Sequence, residues 1–348
     1  MIMSNVEVRE RGLSVELAFI GMGSIGMLYA SRLLSTGKVK GWTITQREAQ
    51  AHALKEHGLT VMERDGGTTT ICCSAQTMET WDGRADWGLI FVKQTHLPAL
   101  IRQLQQKPYQ PCRFLLFQNG LGHAEKVAAA FPGKSVYVAV TTEGAMRQED
   151  WLVRHTGKGM TWLGNPFAER DDMGRLMDGL SECVPIDRTG WNQLQQLASL
   201  LQNRGMNVEI TSEIRLRMWE KWVINCAVNP ITGILSIPNG AIPASKELRQ
   251  LVGEVVQEAI EVARAHGIVL DANLGMRVFE VCEKTAENTS SMLQDLIKKK
   301  ETEIDALNGL LLGLAEEKGL NAPVNRVLYQ LLKAVENTGF SISESDHD

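Results

Sequence analysis

The segment Trp219-Glu-Lys-Trp-Val-Ile-Asn-Cys-Ala-Val-Asn-Pro-Ile-Thr232 sets Lys221, Asn225 and Asn229 at i, i+4 and i+8, along one face of a helix. Trp222, Val223, Ile224, Ala227 and Val228 surround them, so most of this helix must be buried. A buried ammonium and two buried amides cost free energy unless something satisfies them. A structural hydrogen-bond network would do so. A ligand carrying a carbonyl, a hydroxyl and a carboxylate would serve equally, and that reading is favoured. Desolvation also lowers a lysine pKa towards the range useful for proton transfer. Pro230 should end or kink the helix near Asn229.

A second polar group lies in Thr285 to Gly309. Ser291 and Asp295 share a helix face, whereas Glu303 would point about a third of a turn away in one continuous helix. The three can meet one ligand only across a break or from different sides of it. Lys298 to Lys300 reads as a solvated face.

Near the start of the chain, Gly21-Met22-Gly23-Ser24-Ile25-Gly26 follows a strand directly and opens a helix, the context a dinucleotide-binding loop requires. Gly21 allows the tight turn, Gly23 the close approach of a pyrophosphate, and Gly26 tight helix–strand packing. The helix N-terminus adds free N–H groups and the positive end of its dipole. The second strand ends at Thr45-Gln46-Arg47, where Arg47 suits a 2′-phosphate and no acid stands ready for a ribose 2′-OH, although Glu48 is adjacent. This favours NADPH/NADP+ over NADH. Lys93 and Asn119 follow neighbouring strands at the carboxyl edge, where such sheets bind ligands. The Asn119-Gly120 pair also has the chemistry of a plain turn.

These residues need two different frameworks. From Ser14 to about Thr211, short strands alternate with amphipathic helices: Val15–Ile20, Gly41–Thr45, Trp87–Val92, Arg113–Phe117, Ser135–Val140, Met160–Gly164 and Met206–Ile210 read as strands. Several are apolar on both faces, as buried parallel strands are. The expected fold is α/β, a Rossmann-type doubly wound parallel sheet over 1–211, followed by an all-helical domain over 212–348. Breaks in the helical half are expected at Pro230, Pro238–Gly240, Gly267 and Gly319–Pro323. The acidic tail Ser341–Asp348 should fray.

The 348-residue chain carries net charge -5 and 22% charged residues, as an ordinary globular protein does, and this argues against a nucleic-acid surface. No stretch approaches a membrane span of ~20 apolar residues. Met1 to Gly12 lacks a signal-peptide h-region. The six cysteines show no metal-ligand spacing and fit reduced thiols. Adjacent Cys72 and Cys73 read as part of one strand, and Cys226 reads as a core thiol rather than a redox sensor. The expectation is a cytoplasmic protein with a small-molecule substrate, without a metal, membrane or nucleic-acid partner. A homodimer is compatible with the helical half.

Taken together, the Gly21–Gly26 loop, Gln118-Asn-Gly120, Lys221–Pro230, Pro238-Asn-Gly240, Asn288–Asp295 and Thr302–Gly309 resemble the ketopantoate (2-dehydropantoate) reductase family over about Val15 to Leu331. The resemblance implies an active site between the two domains, and hydride transfer from NADPH to the C2 carbonyl of 2-dehydropantoate, giving (R)-pantoate for pantothenate and coenzyme A synthesis. It implies that Lys221 polarises the carbonyl and supplies the proton. Glu303 would support the reacting groups, and Asn119 would join the proton network or hold the cofactor. Asn225, Asn229, Asn239 and Ser291 would bind substrate, and Lys93 would sit near the cofactor. Ala241 departs from the Glu of many relatives, and the stretch before the first strand is longer. The alternatives are a reductase of another branched 2-oxo acid and a non-catalytic NADPH-binding sensor.

Overall fold

The computed structural model describes residues 15–170, 176–177 and 188–338. Met1–Gly12, Cys183 and the Ser341–Asp348 tail lie outside the described residues. The chain divides into two units.

The first unit comprises 1–92, 96–118 and 123–214. Its strands are β1 (Glu16–Ile20), β2 (Lys40–Thr45), β3 (Leu59–Met62), β4 (Thr68–Ile71), β5 (Ser74–Thr77), β6 (Trp87–Ile90), β7 (Arg113–Leu116), β8 (Ser135–Thr141), β9 (Gly144–Arg147), β10 (Leu152–Gly157), β11 (Met160–Gly164), β12 (Glu169–Arg170), β13 (Leu176–Met177) and β14 (Asn207–Ile210). Its helices are α1 (Ser24–Leu34), α2 (Glu48–His57), α3 (Leu97–Gln105), α4 (His123–Ala130) and α5 (Arg188–Gln202).

Eight strands form one sheet in the order β14-β11-β8-β7-β6-β1-β2-β5. From β5 to β8 every neighbour is parallel, and only β8–β11 is antiparallel. The run β5-β2-β1-β6-β7-β8 has the doubly wound order, with its switch point at β1. The strand interiors explain this arrangement. Leu17, Ala18, Phe19 and Ile20 in β1, and Trp87, Leu89 and Ile90 in β6, are buried on both faces, as only strands covered from two sides can be. Helix α5 presents Leu194, Leu197, Ala198 and Leu201 at helical spacing to this core.

A second sheet, β4-β3-β10-β9, was not expected from the sequence. It packs against α1. Cys72 and Cys73 are not within a strand: they join β4 of this sheet to β5 of the large one. The correction has a simple cause. The chain passes from β4, paired with β3, to β5, paired with β2 in the other sheet, and the two cysteines span the crossing.

The second unit comprises 93–95, 119–122 and 215–348. Its described helices are α6 (Ile214–Leu235), α7 (Ala241–Ala244), α8 (Lys246–Ala265), α9 (Leu274–Lys284), α10 (Ser291–Ile297), α11 (Asn308–Glu317) and α12 (Pro323–Thr338), with a 3-10 turn at Ile304–Ala306. Helix α8 buries Val252, Val255, Val256, Ala259 and Ala263 along one stripe, and Ser245 caps it by accepting the Leu248 N–H at 3.2 Å. Of the end or kink expected at Pro230, the end does not occur: α6 runs through it to Leu235. A proline removes the N–H that would reach Cys226 O, four residues back. Here Asn308 Nδ2 donates to that carbonyl at 3.1 Å instead, so the missing N–H does not leave it unpaired.

Candidate active site

In the first unit, the parallel register brings the carboxyl ends of β1, β2 and β6 to one edge, with Ile20 opposite both Ile44 and Ile90. Gly21 leaves β1 with φ +96° and donates its N–H to Ile44 O at 3.0 Å. A side chain there would meet Val92 N at 2.8 Å, and one at Gly26 would meet Gly21 O at 2.2 Å. These two glycines are therefore needed for the turn and for the seating of α1. Gly23 is different, because the position of its missing Cβ has nothing within 4 Å. The backbone is bare towards open space at the start of α1, whose first turn holds no acid. This cradle fits the pyrophosphate of a dinucleotide. Met22 is buried, Ile25 half-buried, and Ser24 Oγ accepts the Arg147 N–H at 3.0 Å.

Arg47 occupies the N-cap of α2, is exposed, and is ion-paired with Asp150. Arg147 approaches the same carboxylate at 3.7 Å. Gln50 ties the group to the glycine loop, donating to Met22 O at 2.7 Å and to Asp150 O at 3.2 Å. Glu48 is exposed to solvent. The β9–β10 hairpin thus contributes Arg147 and Asp150 beside Arg47. Sequence reading missed both, since neither sits in a recognisable motif.

In the second unit, Lys93–Thr95 and Asn119–Gly122 join the helices. Lys221 Nζ donates to Asn119 Oδ1 at 2.7 Å. Burial pulls the Lys221 pKa down to about 8, and the negative charge of Glu303 opposes that fall in part. Glu303 stands at the entry to the 3-10 turn and accepts the Gln94 N–H at 3.2 Å. Helix α10 ends at Ile297, and Lys299 takes φ +52°, so the chain breaks between Asp295 and Glu303. Gln94 holds the loops together, donating from its side chain to Asn119 O at 3.2 Å and Leu121 O at 2.9 Å. Gly120, with φ +89°, lets them close. Sequence reading also missed Gln94; its neighbour Lys93 was the only hint. Lys93 Nζ pairs with Asp295 Oδ2 at 2.5 Å. Trp222 Nε1 donates to Ala306 O at 3.0 Å, fastening α6 to the turn that carries Glu303.

Asn225 is half-buried and Asn229 is at the edge of burial; neither side chain hydrogen-bonds to a described residue. Ser291 is exposed on the first turn of α10, and its neighbour Ser290 accepts the Thr232 hydroxyl at 2.7 Å, joining α10 to α6. Asn239 donates to Thr285 Oγ1 at 2.9 Å, while its Oδ1 is buried without a partner among the described residues. Such unspent donors and acceptors suit a small ligand with several oxygens. The structure joins Lys221, Asn119, Gln94 and Glu303 through direct contacts. It holds Lys93 with Asp295, and it records no contact between Asn239 or Ser291 and Lys221.

Comparison with known proteins then decides the family. A model described as "Ketopantoate reductase PanE/ApbA" matches residues 17–166, and one described as its C-terminal part matches 213–336. The chain belongs to the ketopantoate reductase family. Among the ketopantoate reductases it resembles, 2-dehydropantoate 2-reductase of Archaeoglobus fulgidus is 31% identical over 320 residues, covering 91% of this chain and 97% of that one. The Bacillus subtilis enzyme is 30% identical over 324 residues, covering 92% and 98%. A solved ketopantoate reductase from Ralstonia eutropha superposes with TM-score 0.77 at 25% identity, covering 93% and 99%. D-mandelate dehydrogenase solved with NADH and anilino(oxo)acetate shares the fold, with TM-score 0.81 at 22% identity over 93% and 99% of the two chains. Membership makes the protein an oxidoreductase that works with a nicotinamide cofactor.

Proposed function

We propose that this protein reduces 2-dehydropantoate to (R)-pantoate with NADPH. The observation that carries the reading is Lys221. Its ammonium is hydrogen-bonded to Asn119, its pKa is lowered to about 8, and its helix face also presents Asn225 and Asn229. When bound, the nicotinamide would supply the hydride. Lys221 would hydrogen-bond the C2 carbonyl oxygen, so that negative charge developing there meets a cation, and would then pass its proton to that oxygen. The product is the hydroxyl, and the neutral amine regains a proton from water. A lysine with a pKa near 8 is charged at neutral pH yet gives up its proton more readily than an ordinary one.

Asn119 would fix the Lys221 amine through its Oδ1, and Glu303 would keep the ammonium charged. Asn225, Asn229, Asn239 and Ser291 would take the substrate's hydroxyl and carboxylate. In the first unit, Gly21 to Gly26 would hold the pyrophosphate and Arg47 the 2′-phosphate; Lys93, which belongs to the second unit, would sit near the cofactor. Arg47 already has Asp150 as a partner, so a 2′-phosphate must compete with an internal carboxylate. This specific observation favours testing NADH as the second reading of the cofactor. The proposal extends to a cytoplasmic enzyme and to a homodimer, whose mass light scattering reads directly.

The test is the initial rate of nicotinamide oxidation with 2-dehydropantoate, 2-oxoisovalerate and pyruvate, each with NADPH and with NADH. The expected result is a strong preference for 2-dehydropantoate with NADPH. Faster turnover of another 2-oxo acid would replace the substrate. Tight NADPH binding with no oxidation in any mixture would replace the enzyme with a sensor.

A further inference from the structure

Pro230 lies in the interior of α6, the helix that carries Lys221, Asn225 and Asn229. Its ring leaves Cys226 O without the helical donor that any other residue at 230 would give. Asn308, fully buried at the start of α11, fills the gap: its Nδ2 donates to Cys226 O at 3.1 Å and to Asn325 Oδ1 at 2.9 Å. Its Oδ1 has no partner among the described residues. The orientation is nonetheless determined, since flipping the amide would set oxygen against the Cys226 carbonyl. Asn325 is anchored in turn. Its Nδ2 donates to Val255 O at 3.2 Å and Glu258 Oε2 at 2.7 Å, and the same Glu258 takes the Val324 and Asn325 N–H groups at the start of α12.

We infer that Asn308 is a positioning residue: its side chain replaces the backbone donor missing at Pro230 and so holds the polar face of α6 in register. The gap between Cys226 and Pro230 falls inside the Lys221–Asn225–Asn229 stripe, with Lys221 and Asn225 before it and Asn229 within it. Loss of the Asn308 donor would leave two buried acceptors without it, Asn325 Oδ1 and Cys226 O, and at Cys226 it would let the two parts of the stripe shift against each other. Asn308 itself touches no reacting group. The role assigned to the stripe rests on the proposed reductase activity, whereas the replacement of the Pro230 donor does not.

A double-mutant cycle tests this on the full chain, with Asn308→Ala, Pro230→Ala and the pair. Pro230→Ala restores a backbone N–H to Cys226 O, so it should be nearly silent alone and should rescue Asn308→Ala. Asn308→Ala is expected to lower kcat/KM for 2-dehydropantoate about tenfold or more, mainly through KM, with nucleotide affinity unchanged. The pair should recover the part of that loss that comes from Cys226 O, raising kcat/KM severalfold above Asn308→Ala, while the loss at Asn325 Oδ1 persists. A pair no better than Asn308→Ala overturns the inference, as does an Asn308→Ala enzyme with wild-type KM. If Asn308→Ala does not fold, recovery of a folded, active enzyme in the pair supports the inference and failure to recover refutes it. If the wild type turns over no 2-oxo acid, the functional reading has failed. The missing-donor replacement is then judged by melting temperatures, where independent, additive effects of the two substitutions refute it.

Discussion

Glu303→Gln isolates one charge beside Lys221. The variant keeps the shape of the side chain and an oxygen for the Gln94 N–H, and removes only the negative charge. The fall of the Lys221 pKa from 10.5 to about 8 corresponds to about 3 kcal/mol set against the ammonium, a net value from which the Glu303 contribution has already been subtracted. Without that carboxylate the pKa should drop further, to roughly 7, because one nearby opposite charge moves a pKa by about one pH unit or more. Reduction needs the charged lysine, so its rate is full below the folded-state pKa and is lost as pH rises through it. At about pH 7.5 the protonated fraction falls from about three quarters to about one quarter, a roughly threefold loss from titration alone. Oxidation of pantoate needs the neutral amine and should show the opposite limb. The assay is kcat/KM against pH for both enzymes in both directions. An alkaline limb that stays near 8 in the variant, or moves upward, refutes the assignment of Glu303 as the charge that supports Lys221.

Other outcomes follow from the same geometry. Lys221→Ala should cut turnover by about 10² to 10⁴ while leaving NADPH affinity, read by nucleotide fluorescence, unchanged; equal losses would mark a structural role. Arg47→Ala should weaken NADPH about tenfold or more and leave NADH alone. Asp150→Asn should tighten NADPH, since the 2′-phosphate would no longer displace a carboxylate; isothermal titration of both variants with both nucleotides decides it. Tyr29 is fully buried with its hydroxyl bonded to Thr141 and Thr161, so Tyr29→Phe should cost about 1–3 kcal/mol in denaturant unfolding and leave the reaction unaffected.

Most of the large sheet was legible because its central strands, such as β1, β6 and β7, are apolar on both faces; its edge strand β5, Ser-Ala-Gln-Thr with only Ala75 buried, was missed because it shows no apolar run. Two strands of the second sheet, β4 and β9, were hidden for the converse reason. Thr68–Ile71 is exposed or half-exposed along its whole length and Gly144–Arg147 is short and mixed, so neither shows a buried face to read. Pro230 misled because a local rule weighed a missing N–H without knowing that Asn308, remote in sequence, would supply another. At the site, the chemistry-bearing types were visible as motifs, while the staples were not. Gln94 acts through its backbone N–H as much as its side chain, and Asp150 matters through the arginines around it. Contacts of that kind leave no periodicity.

The loops 93–95 and 119–122 are encoded among the strands of the first unit and yet belong to the helical one. A chimera cut cleanly after Ile214 would therefore inherit Lys221 and Glu303 from one parent, and Gln94 and Asn119 from the other. Its Lys221 amine would face whatever the foreign loop offered in place of Asn119. Exchange of the first unit between relatives of this protein is modular on paper only. The heritable block that specifies the lysine centre is discontinuous, and recombination that respects it must carry the two loops across with the helices.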